Sequence, residues 1–234
     1  MLKGRPVAKP VFFAEIPGMS RLLLLTLCLV TPLLLVAADP PAPDRNPLQA
    51  GKDLPGAFKP FNVTGPRAGK FHCLVTEHNF EPGVLVFVRD FNSPEALGTV
   101  RPLLTAIDER IAKNYTRTRM NCFAVFLNND LIDVTGTAGD PTANAKNDDL
   151  REKYEKQLQD LANAEPKLQH IVVALDSKDD VKKYGLDESK FVTVVLFKKL
   201  QIVAVYALTK EELTAKKIGE INDDVAEKLG ATRK

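Results

Sequence analysis

The chain holds three cysteines and three histidines, few enough to weigh one by one. Cys73 is flanked by His72, with Glu77 and His78 close behind. A thiol in such company can be a reactive nucleophile or half of a labile disulfide. Against that, Phe71-His72-Cys73-Leu74-Val75-Thr76 reads as a β-strand, whose alternation turns His72 away from Cys73 and leaves a small, inert sulfur. The same cluster could ligate a metal, but its spacing matches no zinc pattern, and neither a metal nor another cofactor is expected. Asp176, Asp179 and Asp180 follow a strand and could draw a cation, although Asp176 or Ser177 more simply caps a short helix. Asn62-Val63-Thr64 and Asn114-Tyr115-Thr116 match the glycosylation acceptor pattern, which matters only in a eukaryotic secretory route. The sequence has no glycine-rich phosphate loop and no nucleophile elbow, and Lys198-Lys199 reads as a solvated hairpin tip.

These residues stand in a chain of 234 residues, 44% hydrophobic and 26% charged, without tryptophan. Leu22 to Ala37 is a leucine-rich run preceded by Arg21 and followed by Val36-Ala37-Ala38, the layout of a secretory signal peptide. Sixteen residues containing Pro32 are short for a bilayer span, which needs about 20. The expectation is therefore export, to a periplasm or the medium, with cleavage after Ala38 and no stable membrane insertion afterwards. An uncleaved anchor is the alternative. Met19 is a plausible true start, and Cys28 lies inside the apolar run and would leave with it. Taking the four basic and one acidic residues of positions 1–38 from totals of 32 and 30 leaves 28 and 29, so the remainder is near neutral and a nucleic-acid partner is not indicated. Two cysteines remain, and an oxidising compartment would let them pair.

The elements that must position any site follow in order. Residues 39–50 are Pro-rich and read as a tether, and 51–234 as one domain. Gly51 to Gly69 reads as an irregular or hairpin-like lead-in over a sheet edge. Val84 to Val88 is apolar at every position, as in a strand covered on both faces. The polar turn Arg89 to Ser93 then leads into a helix from Pro94 to about Lys113, with Ser93 as cap and a stripe of Leu97, Val100, Leu104, Ile107 and Ile111. Pro102 should kink or delay that helix. Cys122 to Leu127 is a second two-sided strand, residues 128–147 a long polar loop, and Asp148 to Ala164 a second helix. His170 to Leu175 is a strand, Asp179 to Tyr184 a short turn ended by Gly185, and Phe191 to Phe197 and Gln201 to Tyr206 a hairpin. Thr209 and Glu212 form a capping box for a last helix reaching Leu229.

Strands alternating with helices imply an α/β fold with a central, mostly parallel sheet, an antiparallel C-terminal hairpin and helices on both faces. This order, with Gly51-Lys52-Asp53-Leu54-Pro55-Gly56-Ala57-Phe58 at its start, resembles the thioredoxin-like superfamily over about residues 50 to 229, and within it the redoxin or peroxiredoxin branch. The resemblance places the family's Cys-x-x-Cys at Ser93-Pro94-Glu95-Ala96, where both sulfurs are missing. A peroxidatic cysteine would fall near Glu95, again without sulfur. The family's cis-proline position is taken by Val192, whose peptide should be trans because a non-proline cis bond costs about 2.5–4 kcal/mol. The resemblance also sets the first strand beside the one beginning at Cys122, which makes a Cys73–Cys122 disulfide conceivable, if less so than two free thiols.

Two functions follow as expectations. The first is an exported thioredoxin-like domain with a degenerate redox site, acting as a binding or structural module on an unknown protein or small molecule, through the groove between the Ser93 turn, Val192 and the Gly185 loop. The second is a thiol-dependent oxidoreductase or peroxidase-like enzyme working through Cys73, with or without Cys122.

Overall fold

A computed structural model describes residues 48–77, 81–128, 130–131 and 141–230. The chain divides into two units, Met1–Pro43 and Asp44–Lys234, and every described residue belongs to the second. The expected leader, Cys28, most of the tether, His78 and residues 132–140 of the long loop lie outside the described residues.

The elements are β1 (Phe61–Asn62), β2 (Lys70–Phe71), α1 (Leu74–Glu77), β3 (Gly83–Arg89), α2 (Pro94–Thr118), β4 (Asn121–Asn128), α3 (Pro141–Asn163), β5 (Ile171–Ser177), β6 (Val192–Lys198), β7 (Gln201–Leu208) and α4 (Ala215–Asp224). The strands form one sheet in the order β2-β1-β5-β4-β3-β6-β7. Strands β3, β4 and β5 are parallel neighbours, and β6 and β7 return antiparallel on the other side of β3. The apolar runs take the central places because only there are both faces covered. Every residue of β3 is buried.

Alternation divides the core in two. Val84, Val86 and Val88 of β3, with Cys122, Ala124 and Phe126 of β4, face the stripes of α2, α3 and α4. Leu85, Phe87, Phe123 and Val125 face the other way, under Leu48, Leu54, Phe58, the turn of α1 and the 3-10 turn Lys182–Tyr184. There the rings of Phe58, Phe87 and Tyr184 meet with centroids 5.1–5.8 Å apart. Helical segments therefore lie on both faces, long on one and single turns on the other. Arg101 of α2 ties α3 down by donating to Ala164 O at 2.8 Å and Pro166 O at 3.0 Å, carbonyls at and just past that helix's end.

Local structure departs from the sequence reading in four places. The segment Phe71 to Thr76 is not a strand: β2 ends at Phe71, and the chain then makes the helical turn α1, which brings Val75 into the second core. Helix α3 starts at Pro141, so residues 141–147 belong to it and not to the loop. Helix α2 continues through Pro102, because both Pro102 and Gly98, whose carbonyl loses its partner, face solvent. Thr209 and Glu212 do exchange bonds, Thr209 N to Glu212 Oε2 at 2.8 Å and Glu212 N to Thr209 Oγ1 at 3.3 Å, but they close a turn. The helix itself begins at Ala215, capped by Thr214.

Candidate functional site

Strand β3 delivers the chain to the carboxyl edge of the parallel strands, where α/β folds place ligands. Asp90 turns it with a left-handed φ of 50°, a conformation aspartate tolerates. Phe91 then drops into the core, its ring edge-on to Phe126 at 5.3 Å and to Tyr154 at 5.2 Å. Asn128 Nδ2 donates to Asn92 Oδ1 at 2.8 Å, joining the turn to the end of β4. Ser93 caps α2: its Oγ accepts from Ala96 N at 3.2 Å and its carbonyl from Leu97 N at 3.2 Å. Glu95 is exposed, and hydrogen bonding to its own backbone amide, then to the Ser93 side chain, lowers its pKa, with Lys210 adding a smaller share.

At the place where the resemblance implies two sulfurs there is thus a capping hydroxyl and a buried methyl, Ala96 being 1% exposed. The methyl is no nucleophile, and the hydroxyl becomes one only with a base to activate it. Val192 is fully buried and pairs with Val88. The cis peptide found among the described residues is Glu165–Pro166, so Phe191–Val192 is trans. Lys210 Nζ stands 5.0 Å from the Phe191 ring centroid while its charge reaches Glu95, which sets the start of β6 and the start of α2 on one surface.

Beside this turn lies the loop after β5. Ser177 Oγ donates to Asp180 Oδ2 at 2.7 Å and accepts from Asp180 N at 3.1 Å, so Ser177 organises the bend. The 3-10 turn ends at Gly185, whose φ of 54° lets its N–H reach Lys182 O. Between this loop and the end of β3 is a cavity of about 330 Å³ lined by Arg89, Lys178, Val181, Lys182, Gly185 and Leu186, among others. Arg89 escaped the sequence reading, since one arginine closing an apolar strand is an ordinary pattern.

The cysteines lie elsewhere. Cys73 is half-buried just before α1, and Thr76 Oγ1 donates to its sulfur at 3.0 Å. His72 Nε2 and Glu77 Oε2 are 2.5 Å apart, and Arg67 stands 3.9 Å from Glu77. A shallow cavity of about 520 Å³ is bordered by Lys59, Arg67, Phe71, His72, Cys73 and Glu77. His72 and Cys73 therefore share a cavity instead of pointing to opposite faces of a strand, because the backbone has left the sheet. Cys122 is fully buried on β4, and burial, then the charge of Asp108, push its thiol pKa far up.

Both cysteines are free. The conceivable Cys73–Cys122 disulfide does not form, for a topological reason: Cys73 packs on the second core and Cys122 in the first, with the sheet between them. The strands flanking Cys122 are those of Val84 and Ile171, not that of Cys73. Among the described residues no three His, Cys, Asp or Glu side chains group closely enough to hold a metal. Of the two sequons, Asn62 is fully buried in β1, and Asn114 lies on α2 with its Nδ2 donating to Arg110 O at 2.9 Å. Among the described residues no helix is long and apolar enough to cross a membrane.

No protein-family model matches the chain. No curated protein is similar to it in sequence. Solved structures are similar in shape. A yeast mitochondrial 1-Cys peroxiredoxin superposes with a TM-score of 0.50 at 12% identity, over 80% of this chain and 81% of that one. A thiol:disulfide interchange protein from Bacteroides sp. gives 0.48 at 12%, over 80% and 94%. The reduced 2-Cys peroxiredoxin of Plasmodium vivax gives 0.47 at 14%, over 78% and 99%. With the parallel β5-β4-β3 core, the antiparallel β6-β7 hairpin and the closing helix, the first of these likenesses shows that the protein has a thioredoxin-like fold.

Proposed function

We propose that the protein is an exported thioredoxin-like domain that has given up dithiol chemistry and serves as a binding or structural module, through the groove between the Ser93 turn, Val192 and the Gly185 loop. One observation carries this reading: the Ser93 hydroxyl caps Ala96 N–H at the helix start, the place where a thiolate would need the same donor. The leucine-rich run ending at Ala38 supports export. The partner is a protein or a small molecule, not a nucleic acid.

A second reading is kept by a separate observation. Cys73 is half-buried and borders an open cavity beside His72, Lys59 and Arg67, so its sulfur lies where a small substrate could reach it. In that reading Cys73 acts alone as an oxidoreductase or peroxidase-like thiol, because Cys122 is sealed on the opposite face.

Insulin- and peroxide-reduction assays of the native protein and of Cys73→Ser separate the two. The first reading expects no turnover in either. Turnover that Cys73→Ser abolishes would replace it by the second. In the same preparation, Ser93→Cys with Ala96→Cys should form a disulfide under mild oxidation, since the helix start is already built for it.

A further inference from the structure

Arg89 is the last residue of the central strand and only 9% exposed. A guanidinium has five N–H donors, and those that no protein group accepts must open onto water or a ligand. Among the described residues its side chain makes one hydrogen bond, from Nη2 to Leu186 O, and at 3.4 Å that bond is long. The acidic neighbours do not make up the difference. Asp187 is bonded to the backbone N–H and the hydroxyl of Ser189, at 2.9 and 2.7 Å, and Glu188 is paired with Lys178. Arg89 lowers the pKa of both carboxyls as the weakest of the causes acting on them. The cation thus sits at the wall of the 330 Å³ cavity, where the donors not taken by Leu186 O stay open instead of sealed in the core.

The rest of the wall narrows the ligand. Lys182 is exposed on the rim, and Val181, Gly185 and Leu186 supply apolar surface and bare backbone. Asp179 and Glu188 also border the cavity, so the three cations of the lining face two anions. A single negative charge suits that balance, whereas a dianion would meet both carboxylates at close range. A planar carboxylate matches the two-pronged guanidinium face.

We propose that this cavity binds a monocarboxylate with a short aliphatic body, the carboxylate on Arg89 with Lys182 at its rim and the aliphatic part against Val181 and Leu186. The proposal rests on the binding-module reading and deepens it by giving the Gly185-loop end of that groove, which neither Ser93 nor Val192 lines, a ligand class. The carboxylate could belong to a free acid or to the C-terminus of a peptide, since both present the same group.

The test is a titration of the full-length, 15N-labelled chain, following the Arg89 Nε–H and Gly185 amide resonances. Butyrate should shift both saturably at millimolar concentrations, and butyramide should not. Lys182→Gln should weaken butyrate roughly twofold to fivefold, the worth of one exposed charge. Arg89→Lys, which keeps the charge but loses the fork, should weaken it by about tenfold or more. Acetyl-Ala-Ala binding tighter than butyrate, with its C-terminal amide silent, would assign the carboxylate to a polypeptide end, and the reverse order to a free acid. Equal shifts from butyramide, or inorganic phosphate binding more tightly than butyrate, would overturn the proposal. So would the absence of any saturable shift. Turnover through Cys73 would sink the module reading without touching these titrations, and a failed titration would leave the thiol assays standing.

Discussion

The Ser93 turn and the Cys73 patch each hold one half of what thiol chemistry needs, and they lie on opposite faces of the sheet. The turn has the architecture: a buried strand, a helix start with aimed N–H groups and an aromatic floor in Phe91. It has no sulfur. The patch has a half-buried sulfur with cations nearby, but it stands on a four-residue helical turn with little to hold a geometry. The difference teaches that a fold supplies positions, while activity needs the right atom at the right position. Here the two have come apart.

The comparison breaks most visibly if the floor of the turn is removed. Phe91→Ala should destabilise the protein by about 3–5 kcal/mol in urea unfolding, the usual range for an aromatic deleted from a packed core. The labelling rate of Cys73 under native conditions should stay unchanged, since its patch lies on the other face of the sheet. A smaller effect sharpens the contrast between the sulfurs. Below its ordinary pKa of 9.0 the Cys122 thiol is neutral whether the chain is folded or not, and pH has no effect through it. Above that value the unfolded chain releases the proton and the folded chain keeps it, so stability falls with rising pH by up to about 1.4 kcal/mol per unit. Cys122→Ala should remove that slope, and Cys73→Ser should leave it. Smallest is the cap itself: Ser93→Ala should cost about 1 kcal/mol of stability and change no assay of thiol chemistry.

Much of the fold could be read in advance, and the reason lies in particular residues. Val84 to Val88 is apolar without a break because both its faces are covered, and Ser93-Pro94 announces a helix because a hydroxyl followed by a fixed φ is what a first turn needs. Gly185 marked the end of its turn for a backbone reason that residue type alone reveals. Cys73 was misplaced because Phe71, Val75 and Thr76 around it are good strand formers. β2 pairs over only two residues, and burying Val75 decides the rest. A four-residue helical turn leaves no periodicity to detect. The early start of α3 did leave a trace in the sequence, proline at position 141 after an aspartate, residue types common at helix starts, but the residues after them are polar on all sides. Arg89 could not be singled out, because its importance comes from the bonds it lacks, and only a folded molecule reveals those.

The lead-in segment has a bearing on how any protein partner could approach. Gly51 N and Leu54 N donate to Ile202 O and Leu200 O, lashing this strap along β7, while at the opposite rim the sheet tapers to strands two residues long. A visiting peptide finds no extended ladder at the β2 rim and a blocked one at the Leu200–Ile202 end of β7, so recruitment by strand addition is disfavoured at those two places. The loops at the tips of the strands offer the other route, where contact depends on side-chain chemistry instead of on a shared backbone.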